Sequence, residues 1–291
     1  MSASMKKKFF NIATFITCFF SICAISACGD SESPSSNFKY TTTSSLPGSL
    51  DSGRELELRT FASLDRKEQI GEEASNLARA RIVRIMPFGD SITSGPTYRK
   101  PLWDLLKNDN ISNIDFVGSL NGNSVPDGDH EGHACYKITL VLLAPGTGTF
   151  KKCTPDENSV GDFRDLDTWF SGTKPDIVLW HMGTNDAASR EDPLKVMDAF
   201  SATLSKLRQR NPKVIILIAK ILPMTVADVS PINAAIPGWA IANSTNDSKI
   251  VVVDMNTGFD PALTYDGIHP NAAGGKWMAD RWFTALKSIH R

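Results

Sequence analysis

The sequence predicts an α/β fold in which a parallel sheet is covered by helices on both faces. From about residue 81, short apolar runs rich in Val and Ile alternate with longer segments of helical periodicity. Runs of this kind are typical of strands that are buried on both faces. Strict alternation of strand and helix favours parallel pairing with right-handed crossovers. We therefore expect five strands in the flavodoxin-like order 2-1-3-4-5.

The predicted elements follow one another closely along the chain. The strands cover residues 82–88, 114–117, 176–182, 214–221 and 250–255. The helices cover residues 98–107, 193–210, 231–243 and 271–289. Sites in such sheets lie beyond the carboxyl ends of the strands, so the residues directly after each strand are the first candidates for function.

Residues 1–27 have the features of an export signal. Lys6-Lys7-Lys8 precedes an apolar stretch that ends in small residues, which is the order of a secretory signal. The ending Ile25-Ser26-Ala27-Cys28 resembles a bacterial lipobox, in which Cys28 would carry lipid and begin the mature chain. An ordinary signal cleaved nearby and an uncleaved membrane anchor are the alternatives. All three predict an exported domain, held in the cell envelope if Cys28 is lipidated and otherwise secreted or anchored.

Three segments follow the signal. Residues 28–53 are rich in Ser, Thr, Pro and Gly, so we expect a flexible tether with too little apolar surface to fold. Residues 54–80 form a mixed, charged extension without an assigned function, and residues 81–291 form the predicted folded domain. The whole chain has 291 residues, of which 41% are hydrophobic, and a net charge of −1. It can bury a sizeable core, and it lacks the basic excess of a nucleic-acid-binding protein.

Cys135 and Cys153 are the cysteines of the predicted folded domain. An even pair in an oxidising compartment predicts a disulfide. On the loop-entropy account such a bond stabilises the fold by about 3 kcal/mol. Two unpaired thiols are the alternative.

Ser91 is the candidate nucleophile. It follows the first predicted strand in Gly89-Asp90-Ser91-Ile92-Thr93, where Gly89 allows the backbone to turn tightly. Serine is a weak nucleophile until a base takes its proton. Taken alone, this motif is better explained as a helix cap, because Asp and Ser are favoured at that position.

Asp266-Gly267-Ile268-His269 follows the last predicted strand and supplies the missing base. His269 can accept the serine proton, and Asp266 can orient and stabilise the imidazolium. The alternative is a plain turn, since Asp-Gly is a common turn pair. Two further residues follow intervening strands. Asn185, in Gly183-Thr184-Asn185-Asp186, and Gly118 could donate hydrogen bonds to an oxyanion, although a turn residue and a strand-end glycine would look the same.

These four blocks, in this order, resemble those of the SGNH (GDSL-type) hydrolases over residues 82–285. The resemblance implies a three-layer α/β/α sandwich and a serine hydrolase that needs no cofactor. It also implies a catalytic triad of Ser91, His269 and Asp266, and an oxyanion hole formed by Ser91, Gly118 and Asn185.

Further segments are similar to carbohydrate esterase family 3, which includes acetylxylan esterases. They are 84–93, 115–119, 129–133 and 174–179. The family usually continues after its histidine with Ser-Gly-Trp. Here Ala134-Cys135-Tyr136-Lys137 opens an insertion, residues 134–160, that carries Cys153.

Two other features invite a functional interpretation. Glu131 between His130 and His133 suggests a metal site, but the spacing is not the His-Glu-x-x-His of a helical zinc site, so we expect no metal. Trp239 follows Pro237-Gly238 and is the tryptophan that we expect to contact substrate. Trp180, Trp277 and Trp282 are expected to lie in the core.

The sequence therefore predicts a serine esterase for short acyl esters, first acetyl esters of carbohydrate. Its partner is an acylated carbohydrate or another small ester, and membrane contact is expected only through the lipid anchor. A lysophospholipase or thioesterase with the same triad is the first alternative. A non-catalytic, carbohydrate-binding surface module is the second.

Overall fold

The computed structural model describes residues 63–64, 66–69, 81–122, 125–143 and 166–289. The export signal, Cys28 and the tether lie outside the described residues, so these features stay predictions. Within the described part of the chain, no helix combines the length and the apolar character needed to cross a bilayer.

A seven-stranded sheet organises the domain. Its strands are β1 (Val83–Gly89), β2 (Ile114–Phe116), β3 (Leu120–Asn121), β4 (Asp129–Gly132), β5 (Ile177–His181), β6 (Ile215–Lys220) and β7 (Ile250–Asp254). The α-helices are α1 (Ser91–Ser94), α2 (Arg99–Asn108), α3 (Leu166–Trp169), α4 (Thr184–Ala188), α5 (Pro193–Arg210), α6 (Ser230–Asn243) and α7 (Ala272–Ile289). Two 3₁₀ helices cover Ile138–Leu142 and Pro261–Leu263.

The α/β fold is confirmed, but the predicted count of five strands is wrong. Strands β2, β1, β5, β6 and β7 pair side by side and in parallel, in the predicted order. The additional strands are β3 and β4, which form an antiparallel hairpin. β4 also pairs in parallel with the end of β1, so the hairpin extends the sheet at the edge where the candidate site residues lie.

Pro87 lies inside β1, where a missing N–H would ordinarily interrupt the sheet. On one side of β1, the Ile85 carbonyl accepts from Val117 N at 2.9 Å and the Gly89 carbonyl accepts from His133 N at 2.8 Å. The backbone N and O atoms of alternate strand residues point to the same edge of the strand. The backbone nitrogen of Pro87 therefore faces the interval between β2 and β4. Because neither strand pairs with β1 at that position, the proline costs no ladder hydrogen bond there.

The two faces of the sheet carry separate cores. On one face, Met86, Phe88, Val178 and Trp180 pack with residues of α5 and α6 such as Phe200 and Ile236. On the other face, Ile85, Leu179, Leu217 and Val253 pack with residues of α2 and α7 such as Leu102 and Trp282. Strand residues that are neighbours in sequence thus belong to opposite cores, as the period of two requires. The covering of both faces produces the three layers.

The structure contradicts the expectation that Trp239 contacts substrate. Helix α6 continues through Pro237, and Trp239 is only 7% exposed. Its indole packs against Phe200 and Trp180, with ring centroids 5.4 and 6.1 Å away, and its Nε1 donates to Ser201 Oγ at 2.9 Å. Trp239 is therefore a core residue, like Trp180 and Trp282, while Trp277 is partly buried.

Gly132, at the end of β4, lies against the short helix α1 that begins at Ser91. A Cβ at residue 132 would lie 2.4 Å from Ser94 N and 2.7 Å from Thr93 C. These atoms are backbone and cannot rotate away. The close approach of β4 to α1 therefore requires glycine at this position.

We predict that Gly132→Ala lowers the free energy of unfolding by about 1–3 kcal/mol, the range for forcing an extra methyl group into a packed site. Chemical denaturation followed by circular dichroism measures the change. Gly172→Ala is the matched control, because no heavy atom lies within 4 Å of the Cβ it would add. Equal stability of the two variants would contradict the proposed close packing of β4 and α1.

Candidate active site

The predicted site residues follow the carboxyl ends of the parallel strands. Ser91 begins α1 directly after β1, and Gly118 lies two residues beyond β2. Asn185 is in the first turn of α4 after β5, and Asp266 and His269 are in the loop between β7 and α7. In parallel sheets these ends share one edge, which is where open α/β proteins place their sites.

Ser91, His269 and Asp266 form one chain of hydrogen bonds. Ser91 Oγ lies 2.8 Å from His269 Nε2, and His269 Nδ1 lies 2.7 Å from Asp266 Oδ2. An ionised carboxylate can only accept, so Nδ1 carries the proton and Nε2 is free to accept from the serine hydroxyl. This tautomer is the one that a general base next to a serine needs.

Asp266 is held by the backbone of its own loop. Its Oδ1 accepts from Ile268 N at 3.0 Å and from His269 N at 2.7 Å. Burial raises the pKa of Asp266, but the hydrogen bonds from the amide and ring of His269 outweigh it and bring that pKa below its usual value. The carboxylate is therefore ionised and in place before any substrate arrives.

The loop keeps its shape through a tight turn at Gly267. Gly267 has a φ of +83°, in the left-handed region that glycine adopts without strain. Its amide donates to Thr264 Oγ1 at 3.0 Å, and Tyr265 N donates to His269 O at 3.0 Å. A Cβ on Gly267 would lie 2.1 Å from Thr225 Oγ1, so the turn also packs closely against the segment after β6.

Asp90, and not Ser91, is the residue that caps α1. Asp90 Oδ1 accepts from Ile92 N at 3.1 Å, and the Asp90 carbonyl accepts from Thr93 N and Ser94 N. The helix-cap interpretation of this motif is thus right for Asp90. The capping leaves the Ser91 hydroxyl available for His269.

Asp90 is fully buried, and burial raises its pKa to about 6. Hydrogen bonding from Thr184 and Ile92 and the charge of His269 work in the opposite direction. The burial of this carboxyl group was not predicted, because the helix-cap preference alone accounted for an Asp at this position.

Arg99 is a second residue whose part was not foreseen. Its buried guanidinium donates from Nε to Thr93 O, from Nη2 to Ser94 O and from Nη1 to Gly128 O, at 3.0–3.1 Å. It therefore joins the end of α1 to the β3–β4 hairpin. One signal was present: Arg99 shares the buried face of α2 with Leu102 and Leu106, where an arginine is unusual.

Two of the predicted oxyanion donors are backbone amides that are free to donate. Among the described residues, neither Ser91 N nor Gly118 N has a hydrogen-bond acceptor. A Cβ on Gly118 would lie 2.1 Å from the carbonyl carbon of His130, so only glycine fits there. Asn185 differs, because its Nδ2 already donates to Tyr136 O at 3.1 Å. The amide group has a second N–H, which can serve an oxyanion.

Glu131 anchors the loop that carries Gly118. It is fully buried and accepts from Ser119 N and Ser119 Oγ, each at 2.7 Å, and from His133 Nε2 at 2.6 Å. The His133 ring stacks on Trp169 with centroids 3.7 Å apart. His130 accepts from Gly132 N through Nδ1, and burial, with a smaller contribution from the charge of Arg99, lowers its pKa to about 4.

These contacts make Glu131 and both histidines packing and positioning groups of the β4 segment. Within the described ranges, no group of three or more His, Cys, Asp or Glu side chains is arranged to hold a metal ion.

The insertion 134–160 is described only as far as residue 143. Asp186 fixes this first part, because its carboxylate accepts from Ile138 N, Thr139 N and Thr139 Oγ1 at 2.8–3.1 Å. Burial raises the pKa of Asp186 above its usual value, and these hydrogen bonds offset only part of that rise. Cys153 lies outside the described residues, so its pairing with Cys135 stays a prediction.

Comparison with known proteins identifies the family of the chain. The GDSL-like Lipase/Acylhydrolase family matches residues 88–277, which include the predicted triad and oxyanion residues. A multidomain esterase of Ruminococcus flavefaciens is 27% identical over 243 residues; the match covers 72% of this chain and 29% of that protein.

Two solved structures are also similar over most of the domain. The carbohydrate esterase family 3 protein from Talaromyces cellulolyticus is 29% identical, with a TM-score of 0.61, over 71% of this chain and 97% of that one. An acetyl esterase variant solved with an acetate ion is 28% identical, with the same TM-score and coverage. The resemblance to SGNH hydrolases is thereby confirmed: this chain belongs to the GDSL-like lipase/acylhydrolase family, and the proteins that it is similar to include esterases.

Proposed function

We propose that this esterase removes short acyl groups, first of all acetyl, from carbohydrate through a covalent intermediate on Ser91. The observation that carries the proposal is the hydrogen-bonded chain from Ser91 through His269 to Asp266, with contacts of 2.8 and 2.7 Å. A serine in contact with a neutral histidine that is oriented by a carboxylate is the arrangement that activates a hydroxyl for acyl transfer.

The first half of the reaction transfers the acyl group to the enzyme. Ser91 Oγ attacks the ester carbonyl while His269 Nε2 takes its proton, and the carbonyl π electrons move to oxygen. The oxyanion accepts hydrogen bonds from Ser91 N, Gly118 N and the second N–H of Asn185. When the intermediate collapses, the C–O bond to the alcohol breaks and His269 returns its proton to the departing oxygen.

The second half regenerates the serine. Water attacks the acyl-enzyme, His269 accepts a proton from it, and the resulting oxyanion occupies the same three donors. Collapse releases the carboxylic acid and returns the proton to Ser91 Oγ. Asp266 stays ionised throughout and stabilises the imidazolium that forms twice in each cycle.

The preference for acetyl esters of carbohydrate is supported by the relatives rather than by the triad. The similar structures belong to a family 3 carbohydrate esterase and to an acetyl esterase that holds acetate. The segments that resemble carbohydrate esterase family 3 include β1, β4 and the loop after β2, which surround the nucleophile.

We also propose that the domain is exported and tethered to a membrane by lipid on Cys28. The support is the order of features in residues 1–53: a basic start, an apolar segment, the lipobox-like ending and a polar tether. We expect radiolabelled palmitate to be incorporated into the wild-type chain in a bacterial host and to be lost in Cys28→Ser. Labelling that persists in Cys28→Ser would contradict the anchor.

We predict that Ser91→Ala lowers kcat for p-nitrophenyl acetate by at least about 10⁴-fold, because the nucleophile is lost and only oxyanion stabilisation and binding remain. Labelling by a fluorophosphonate probe should disappear as well. Ser94→Ala is the matched control: it makes the same change on the same helix, and its hydroxyl only donates to Ser91 O at 3.1 Å. A folded Ser91→Ala enzyme that still hydrolysed the ester would contradict the assignment of Ser91 as the nucleophile.

The acyl preference is tested with p-nitrophenyl esters of increasing length. We expect kcat/KM to fall by at least about 100-fold from acetate to octanoate, since each methylene that does not fit is worth about 1–3 kcal/mol. The opposite trend, with octanoate the better substrate, would favour the lysophospholipase or thioesterase alternative. In that case the triad would stand and the acetyl assignment would be withdrawn.

A further inference from the structure

A groove of about 560 Å³ borders the loop that carries His269. One wall comes from the segment after α1 and the start of α2, and the other comes from the loop before α7 and the first residue of that helix. Pro96 and the partly buried Pro101 contribute apolar surface, the buried Pro270 lies beneath it, and Tyr265 lies at the same opening. We call this feature the Tyr265 groove.

Tyr265 is an exposed aromatic residue next to the candidate base. Its side chain is 70% exposed, although most large hydrophobic residues of the domain are buried. Its ring is nearly parallel to the His269 ring, with an angle of 12° between the planes and 5.6 Å between the centroids. A backbone hydrogen bond from Tyr265 N to His269 O holds the two residues together. Much of the tyrosine ring therefore remains open to a ligand.

The chemistry of ester cleavage indicates which part of the substrate lies here. His269 Nε2 must reach the departing alcohol oxygen in order to protonate it. The alcohol portion of the ester therefore leaves Ser91 on the His269 side. The Tyr265 groove borders that side, because Tyr265, whose ring stacks on the His269 ring, is part of its lining, and so is Pro270, next in sequence to His269.

The lining of the groove fits a sugar ring. The faces of a pyranose carry C–H groups that pack on an aromatic ring, and proline rings add a rigid apolar surface that loses little conformational entropy on binding. Lys100 and Asp104 form an ion pair at 2.7 Å on the wall of the groove, and both are about half exposed. This pair offers donors and acceptors to hydroxyl groups and has no net charge, which suits a neutral sugar.

We propose that the Tyr265 groove binds the pyranose ring that carries the scissile ester, with one face of the sugar stacked on Tyr265. The inference rests on the proposed function, which already names carbohydrate as the alcohol, and adds to it the position of the sugar ring. It makes Tyr265 a residue that determines specificity, outside the triad and the oxyanion donors.

The first test compares two substrates in Tyr265 variants. We expect Tyr265→Ala to lower the ratio of kcat/KM for acetylated xylo-oligosaccharides to kcat/KM for p-nitrophenyl acetate by about tenfold, mainly through KM. Tyr265→Phe should restore the ratio, because the stacking face is kept. A loss in Tyr265→Ala that is equal for both substrates would overturn the proposal, since the tyrosine would then only support His269.

The second test closes the groove without changing Tyr265. Ala272 lines the groove at the start of α7, whereas its neighbour Ala273 is equally exposed and does not line it. We expect Ala272→Phe to lower the same ratio of kcat/KM values by about tenfold and Ala273→Phe to leave the ratio near that of the wild type. Equal ratios in the two variants would contradict a substrate ring in the groove.

Assays of the wild-type enzyme distinguish failure of the sugar site from failure of the proposed function. Hydrolysis of p-nitrophenyl acetate without any hydrolysis of acetylated xylo-oligosaccharides, chito-oligosaccharides or pectin would overturn the sugar site and leave the esterase in place. Failure with every ester, in a folded protein that does not react with the fluorophosphonate probe, would overturn the proposed function and the groove with it.

Discussion

The change of neighbour along one edge of β1 is the constraint on which the site depends. The first half of β1 pairs with β2 and its end pairs with β4, so two strands that run parallel to β1 share one of its edges. Their meeting brings the loop with Gly118 against the His130 backbone and brings Gly132 against α1. Both approaches are closer than any Cβ allows. The candidate nucleophile Ser91 and the candidate oxyanion donor Gly118 are thereby held by close backbone packing.

Buried polar side chains stabilise this arrangement by hydrogen bonds to the surrounding segments. Arg99 ties α1 to the hairpin, Glu131 ties the Gly118 loop to β4, and Asp186 ties the start of the insertion to α4. Burying a charge is costly unless hydrogen bonds replace its water, and each of these groups makes at least three. An apolar residue in any of these places would leave backbone donors or acceptors unsatisfied. This dependence explains why so many charged side chains lie beneath a small site.

The sequence predicted the parts of the molecule that follow a simple periodicity. The five apolar strands were located within two residues of their observed ends, and α5 was predicted with its observed bounds. Strand β4 was missed because Asp129-His130-Glu131-Gly132 has no apolar alternation: its side chains are held by hydrogen bonds and not by a hydrophobic core. Trp239 was misplaced because it follows Pro237-Gly238, a pair that is unusual inside a helix, although the predicted helix 231–243 does run through both residues.

A similar contrast applies to function, because the type of reaction can be predicted from the sequence more readily than the substrate. Acyl transfer needs a serine, a base and oxyanion donors within a few tenths of an ångström, and that demand leaves motifs at strand ends that can be recognised in a sequence. Recognition of the alcohol needs only exposed surface, and each contact contributes a modest free energy. Such surface leaves no periodic signal, and no motif in the sequence singles out Tyr265 beside Asp266. We therefore expect the Tyr265 groove, which the loops form next to His269, to determine which alcohol the enzyme accepts.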